Sequence, residues 1–170
     1  MEIKLERKNK LGELERVTYY DIESEADFKD KKIRACRAYC FYEDQFVIVY
    51  ADSKGYWTPP GGGVEEGETV SAAVEREVKE ETNMRVLEQR YIGLLEVVGP
   101  NDTHFYTISA CLVEPIAAFV ADPDGDITEV KMIDFKDYKK YSDPTMESIV
   151  DRLVERAGEA KQKMEYNKHI

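Results

Sequence analysis

Histidine, cysteine and tryptophan are scarce in this chain, and it has neither a long apolar run nor an excess of positive charge. Each shortage closes off a class of protein. The 3 cysteines, Cys36, Cys40 and Cys111, form no C-x-x-C pair, and His104 and His169 lie far apart in sequence. Buried free thiols are therefore expected instead of a zinc site or a disulfide framework. No stretch approaches the roughly 20 apolar residues that cross a bilayer. The opening MEIKLERKNK carries charge where a secretory signal needs an apolar segment. These features read as a cytoplasmic chain with no membrane contact. A formal net charge of -11 gives no general attraction for a nucleic-acid polymer or an anionic lipid surface. An anionic ligand would need a bridging cation.

The remaining composition is that of a folded domain. Hydrophobic residues make up 42% and aromatics 11% of 170 residues, enough for one sizeable core. No repeat and no Pro/Gly/Ser linker divides the chain, so one domain is expected over residues 1–170. Residues 1–30 form an N-terminal extension to which the pattern assigns no role. Within it, Val17 to Tyr20 suits a short strand, and Ser24 suits the cap of a helical turn through Phe28. From Ile33 onward RACRAYCFY and QFVIVYA are two β-branched and aromatic runs around Glu43 and Asp44, the pattern of a hairpin. KGYWTPPGGG follows as a loop, because Pro59 and Pro60 forbid a helix and the glycines free the backbone.

Thr69 to Thr82 is expected to be a helix, capped by Thr69 and ended by a left-handed Asn83. Further strands are expected at Arg90 to Val97, His104 to Val113 and Glu129 to Asp134. Asp143 and Pro144 open a C-terminal helix whose apolar period runs through Met146, Ile149, Val150, Leu153 and Val154. Strands with two long helices make an α/β or α+β sandwich, although periodicity leaves the strand order open.

The first helix contains an anomaly. At about 100° per residue, Val70, Ala73, Val74 and Met84 form an apolar stripe, and Glu77 and Glu81 fall within it. Glu80 flanks them. Clustered carboxylates at a core edge repel one another and lose hydration unless they are protonated or share a cation. Hard oxygen donors of this kind suit Mg²⁺ or Mn²⁺. A solvated acidic face is the competing explanation, because Glu65, Glu66, Glu68 and Glu75 crowd the same stretch. The loop favours the metal: Gly61, Gly62 and Gly63 let backbone approach a ligand, and Arg76 can tether Glu68 through two bonds.

The stretch Gly62 to Met84 resembles the Nudix box, G-x5-E-x7-R-E-U-x-E-E-x-G-U with U aliphatic. Gly62, Glu68, Arg76, Glu77, Val78, Glu80 and Glu81 all fall in register. Asn83 stands in place of the usual glycine, a substitution that a left-handed helix end tolerates. The resemblance implies an α/β/α sandwich with a mixed sheet. It also implies a Mg²⁺ (or Mn²⁺) enzyme that hydrolyses a diphosphate linkage in a small-molecule nucleoside diphosphate derivative. Glu77, Glu80, Glu81 and the carbonyl of Gly61 would be the metal ligands, with Glu68 and Arg76 fixing the loop against the helix. Glu80 is the first candidate for general base and Glu129 the second. Asp122, Asp124 and Asp126 read equally well as turn residues.

The substrate is less specified. Pro100 resembles a feature of the ADP-ribose-cleaving branch, although VVGPNDTH is also an ordinary turn. Tyr39, Phe41, Tyr56 and Trp57 are candidates for stacking a base, with Arg37 near a phosphate, against the usual role of strand aromatics in a core. ADP-ribose or another nucleotide sugar is the leading substrate class. A nucleoside triphosphate pyrophosphatase and a noncatalytic nucleotide-binding domain of the same fold are the alternatives. Members of this family are often dimers, so a homodimer that uses the N-terminal segment is compatible with the resemblance.

Overall fold

A computed structural model describes residues 1–170. Its strands are β1 (Glu2–Lys8), β2 (Leu14–Tyr20), β3 (Ile33–Tyr42), β4 (Gln45–Ala51), β5 (Tyr56–Thr58), β6 (Gly61–Gly63), β7 (Met84–Val98), β8 (Thr103–Pro115) and β9 (Ile127–Asp134). The two helices are α1 (Val70–Thr82) and α2 (Glu147–Asn167). The strands form one mixed sheet in the order β1-β2-β7-β8-β3-β4-β5, with β6 paired to β3 and β9 paired to β4. Only β3 and β8 run parallel.

The expected hairpin is present, with Glu43 taking the left-handed backbone its turn requires. KGYWTPPGGG is more ordered than a plain loop: β5 pairs with β4, and the three glycines pair with Ala35, Cys36 and Arg37. Both β7 and β8 extend beyond their expected spans.

The alternation of β3 and β4 divides the core in two. Cys36, Ala38, Cys40 and Val47 face α1 and pack with Ala73, Val74 and Val78. Tyr39, Phe41, Phe46 and Ile48 face the other way and pack with Ile149, Leu153, Ala157 and Met164 of α2. A helix on each side of a mixed sheet makes an α/β/α sandwich. The three cysteines are buried and free.

The N-terminal segment now has a structural role. Val17 and Tyr19 of β2 are fully buried, and the Tyr19 hydroxyl donates to the carbonyl of Ile92 at 2.7 Å. Asp21 accepts from both Arg152 Nε (3.0 Å) and Arg152 Nη2 (2.6 Å), binding this segment to α2. Ser24 precedes a short 3-10 turn, Glu25–Asp27, whose Asp27 carboxylate accepts from the amides of Glu23 and Ser24. No helix is long and apolar enough to cross a membrane.

Candidate active site

The site begins with the backbone of the glycine strand. A side chain on Gly61 would collide with the carbonyl of Cys36, and one on Gly62 would sit 2.5 Å from Glu77 Oε1. Only bare backbone can pass between β3 and α1 here. Thr69 caps the helix by accepting from the amide of Ala72 (3.1 Å), and Asn83 ends it in the left-handed conformation, φ 54°. Asparagine thus keeps the geometry that glycine usually supplies.

Arg76 holds the loop and the helix together. Its Nε donates to Glu68 Oε2 (2.8 Å) and its Nη2 to Glu68 Oε1 (3.0 Å), the expected two-bond pair. Nη2 also donates to the carbonyl of Gly63 at 2.8 Å. Nη1 reaches Glu77 Oε1 (2.8 Å) and, more loosely, Glu80 Oε2 (3.3 Å). The guanidinium lowers the pKa of Glu68.

Glu77 and Glu81 are both buried, as their helical phase requires. Burial raises the pKa of Glu77 and pushes that of Glu81 up to about 8. Glu81 Oε2 accepts from the amide of Gly61 at 3.0 Å. The expected convergence of three carboxylates is met only in part. Glu77 and Glu80 turn to Arg76 and Glu81 turns to Gly61, so no acidic trio is gathered closely enough to enclose an ion.

Outside the helix the expected site residues separate. Arg37 donates from Nη1 to the carbonyl of Pro59 (3.1 Å) and lies close enough to Glu81 to lower its pKa by charge. Tyr39 does not offer a ring to a ligand: it is 3% exposed, its hydroxyl is 3.2 Å from that of Tyr138, and it packs edge-on to Phe46. Phe41 is likewise core. Tyr56 is exposed at the edge of the sheet. Trp57 is half-buried, with Tyr50 at 5.4 Å, Tyr141 at 6.5 Å and the Lys131 ammonium 4.8 Å above its ring. Pro100 is exposed in the β7–β8 turn, which the Gly99 amide closes on the carbonyl of Asp102 (2.9 Å).

Glu129 requires correction as a base beside the box. It pairs with Tyr50, so it projects from the sheet face opposite α1, whereas Val130 and Met132 face the α1 core. The loop before β9 brings a different acid toward the helix. Asp124 is close enough to Glu77 to raise its pKa by repulsion, and Asp122 does the same to Glu81. Asp122 is committed to the turn, because it accepts from the amides of Asp124 and Ile127 at 3.0 Å each. Asp124 is exposed and free to act. The run DPDGD was the available signal, but its turn chemistry concealed any second role.

The sequence model of the NUDIX domain matches residues 11–153. The chain belongs to the Nudix family. Strand β1 precedes the matched region, and the latter part of α2 follows it. A curated relative, the uncharacterized Nudix hydrolase YvcI of Bacillus subtilis, is 29% identical over 62 residues. That match covers 36% of this chain and 39% of the relative, well under half the length of either. Among solved structures, the Bacillus subtilis pyrophosphohydrolase BsRppH, in a mutant form, is similar at TM-score 0.69 and 20% identity. It covers 92% of this chain and 97% of that one. A NUDIX hydrolase from Nitrosomonas europaea is similar at TM-score 0.57 and 21% identity, over 76% and 91% of the two chains. At such identities the structural likeness speaks for the Nudix fold alone. Within it, α1 is the Nudix helix, and Gly61 to Gly63 form the strand in which the box begins.

Proposed function

We propose that the protein is a pyrophosphohydrolase dependent on Mg²⁺ or Mn²⁺, acting on a nucleoside diphosphate derivative such as ADP-ribose or another nucleotide sugar. The observation that carries this reading is the burial of Glu77 and Glu81 on the Nudix helix, against backbone stripped of side chains at Gly61 and Gly62. Glu77 is paired with the Arg76 guanidinium and Glu81 with a backbone amide, yet burial still raises the pKa of both, which a further cation beside them would offset.

The donor set fits a hard divalent ion. Glu77, Glu80 and Glu81 would hold it, with the Gly61 carbonyl as a further oxygen, once the carboxylates exchange their N–H partners for it. Such an ion neutralises the diphosphate and lowers the pKa of a bound water. The chain supplies the rest. Glu80, the most exposed of the three, would take a proton from the attacking water, with Asp124 as an exposed acid of the loop before β9. Arg76 keeps the loop and the helix at fixed separation through Glu68. Arg37 contributes positive charge beside Glu81, where an anionic phosphate would lie. Trp57, half-buried between Tyr50 and Tyr141 with Lys131 over its ring, is the aromatic candidate for stacking a base.

A product assay tests this reading. ADP-ribose, NADH, diadenosine tetraphosphate and the common and oxidised nucleoside triphosphates are each incubated with Mg²⁺ or Mn²⁺. The expected result is release of two phosphorylated fragments from a nucleotide sugar. Inorganic pyrophosphate from a triphosphate would assign the protein to triphosphate cleavage instead. Inertness toward every compound with both ions would favour a noncatalytic nucleotide-binding domain.

A further inference from the structure

In the strand order β1-β2-β7-β8-β3-β4-β5 the N-terminal hairpin and β5 lie at opposite ends of the sheet, yet the two ends meet. The Lys10 ammonium, in the turn between β1 and β2, stands 5.6 Å from the ring centre of Tyr56, the first residue of β5. The sheet therefore curls far enough to bring the hairpin round beside the β4–β5 turn. Asn9 Oδ1 accepts from the amides of Leu11 (2.9 Å) and Glu13 (3.0 Å), which fixes the shape of the turn that carries Lys10. Arg7 Nη1 lies 3.6 Å from Asp143 Oδ2, linking β1 to the residues just ahead of α2.

A second lysine joins it. Lys54 sits in the β4–β5 turn, where its amide and that of Gly55 both donate to the carbonyl of Ala51 (3.1 and 2.8 Å). Its ammonium is within electrostatic reach of Arg37 and Glu81 in the active site and of Lys10 on the hairpin. Desolvation by the surrounding protein lowers its pKa, and the charges of Arg37 and Lys10 add to that effect. Asp126 is in reach of both lysines, but its Oδ1 is turned to the Ser53 amide (2.9 Å). In a chain of net charge -11, lysines have many acids to pair with. Here two of them, from opposite ends of the sheet, are gathered beside Arg37 instead. A contact with the Tyr56 ring accounts for Lys10 alone and leaves Lys54 beside it unexplained. A polyanion accounts for all three cations, with one phosphate at Arg37 and the next at the lysines.

We propose that Lys10 and Lys54 are substrate-binding residues that grip the phosphate of the diphosphate farther from Arg37, so that the N-terminal hairpin forms one wall of the active site. The inference rests on the diphosphate hydrolase reading above and gives that site a second anion subsite, supplied from within the same chain.

Isothermal titration of the full chain at low salt tests it. The probes are methylenediphosphonate, a diphosphate that cannot be hydrolysed, and inorganic phosphate, each in excess Mg²⁺ and again in EDTA. Wild type is expected to bind the diphosphonate about tenfold more tightly than phosphate. Lys10→Ala and Lys54→Ala are each expected to weaken diphosphonate binding by about tenfold and to leave phosphate binding, which Arg37 supports, largely unchanged. Lys4→Ala removes the same charge from the same hairpin, away from its turn, and is expected to bind both probes like wild type. Thermal melts check that the three variants are folded. The proposal is overturned by a wild type that binds neither probe or both alike, by Lys10 and Lys54 variants that bind the diphosphonate like wild type, or by a loss that phosphate or Lys4→Ala shares equally. Failure of the metal-dependent reading shows separately, as binding that is the same in Mg²⁺ and in EDTA whatever the lysine variants do.

Discussion

The amide of Gly61 donates to Oε2 of Glu81 across 3.0 Å, joining the strand in which the Nudix box begins to the last turn of its helix. A glutamine at position 81 can accept the same bond through its amide oxygen while carrying no charge. Glu81→Gln is therefore expected to keep or raise the melting temperature, because a buried charge is gone, and to lower kcat by about 100-fold or more. Thermal melts and saturating-substrate rates check both halves. Wild-type turnover at limiting Mg²⁺ would remove Glu81 from the site.

Gly62 lies against the carboxylate of Glu77 so closely that a methyl group would stand 2.5 to 2.8 Å from its three terminal atoms. Gly62→Ala must displace that carboxylate. The expected outcome is weaker uptake of Mn²⁺ and a higher Mg²⁺ requirement for turnover, measured by titration against activity.

Arg76 makes its bonds to Glu68 from two nitrogens of one rigid fork, and a lysine ammonium cannot copy that geometry. Arg76→Lys is expected to cost roughly 1–3 kcal/mol in urea unfolding, despite its conserved charge. Unchanged stability would show that a point charge suffices.

Asp21 gives a pH dependence. Hydrogen bonds from Arg152 and from the N-terminal ammonium hold its carboxyl well below the usual carboxylate range, against the opposing effect of burial. The folded pKa is depressed, so its stabilisation is fully present above the unfolded value, about 3.9. It is lost as pH falls below that toward the folded value. Asp21→Asn is expected to melt lower at pH 7 and to show a shallower fall in melting temperature on acidification between about pH 4 and 2. Parallel slopes for the two proteins would contradict this.

Gly93 supplies a test of packing in the N-terminal segment. A Cβ there would stand 2.5 Å from Cε2 of Tyr19. Gly93→Ala is expected to destabilise by about 1–3 kcal/mol through overpacking, with kcat little changed. A neutral effect on stability would mean that Tyr19 moves freely.

The parts of the molecule legible in the sequence were those set by local periodicity. Helix α1 runs from its Thr69 cap to its left-handed Asn83 stop as spacing and propensity require, and the buried phase of Glu77 and Glu81 follows from the helical repeat alone. The role of residues 1–30 was not legible, because what orders them is nonlocal: Tyr19 bonds to Ile92, and Asp21 bonds to Arg152. For the same reason β5 and β6 looked like loop, since short glycine- and proline-flanked strands are defined by the partners that β4 and β3 supply. Tyr39 as a ligand-stacking ring failed on burial, and Glu129 as a neighbour of the box failed on sidedness. Which face of a strand meets which helix is a property of the assembled sheet, not of the strand's own sequence.

The central claim is that the acids of the Nudix helix exist to bind a divalent ion. Isothermal titration of Mn²⁺ into wild type and into the variant Glu77→Gln/Glu80→Gln/Glu81→Gln, each shown to be folded by its melt, tests this most directly. The account predicts saturable uptake by wild type that disappears in the variant. No uptake by wild type, or equal uptake by both, would contradict it.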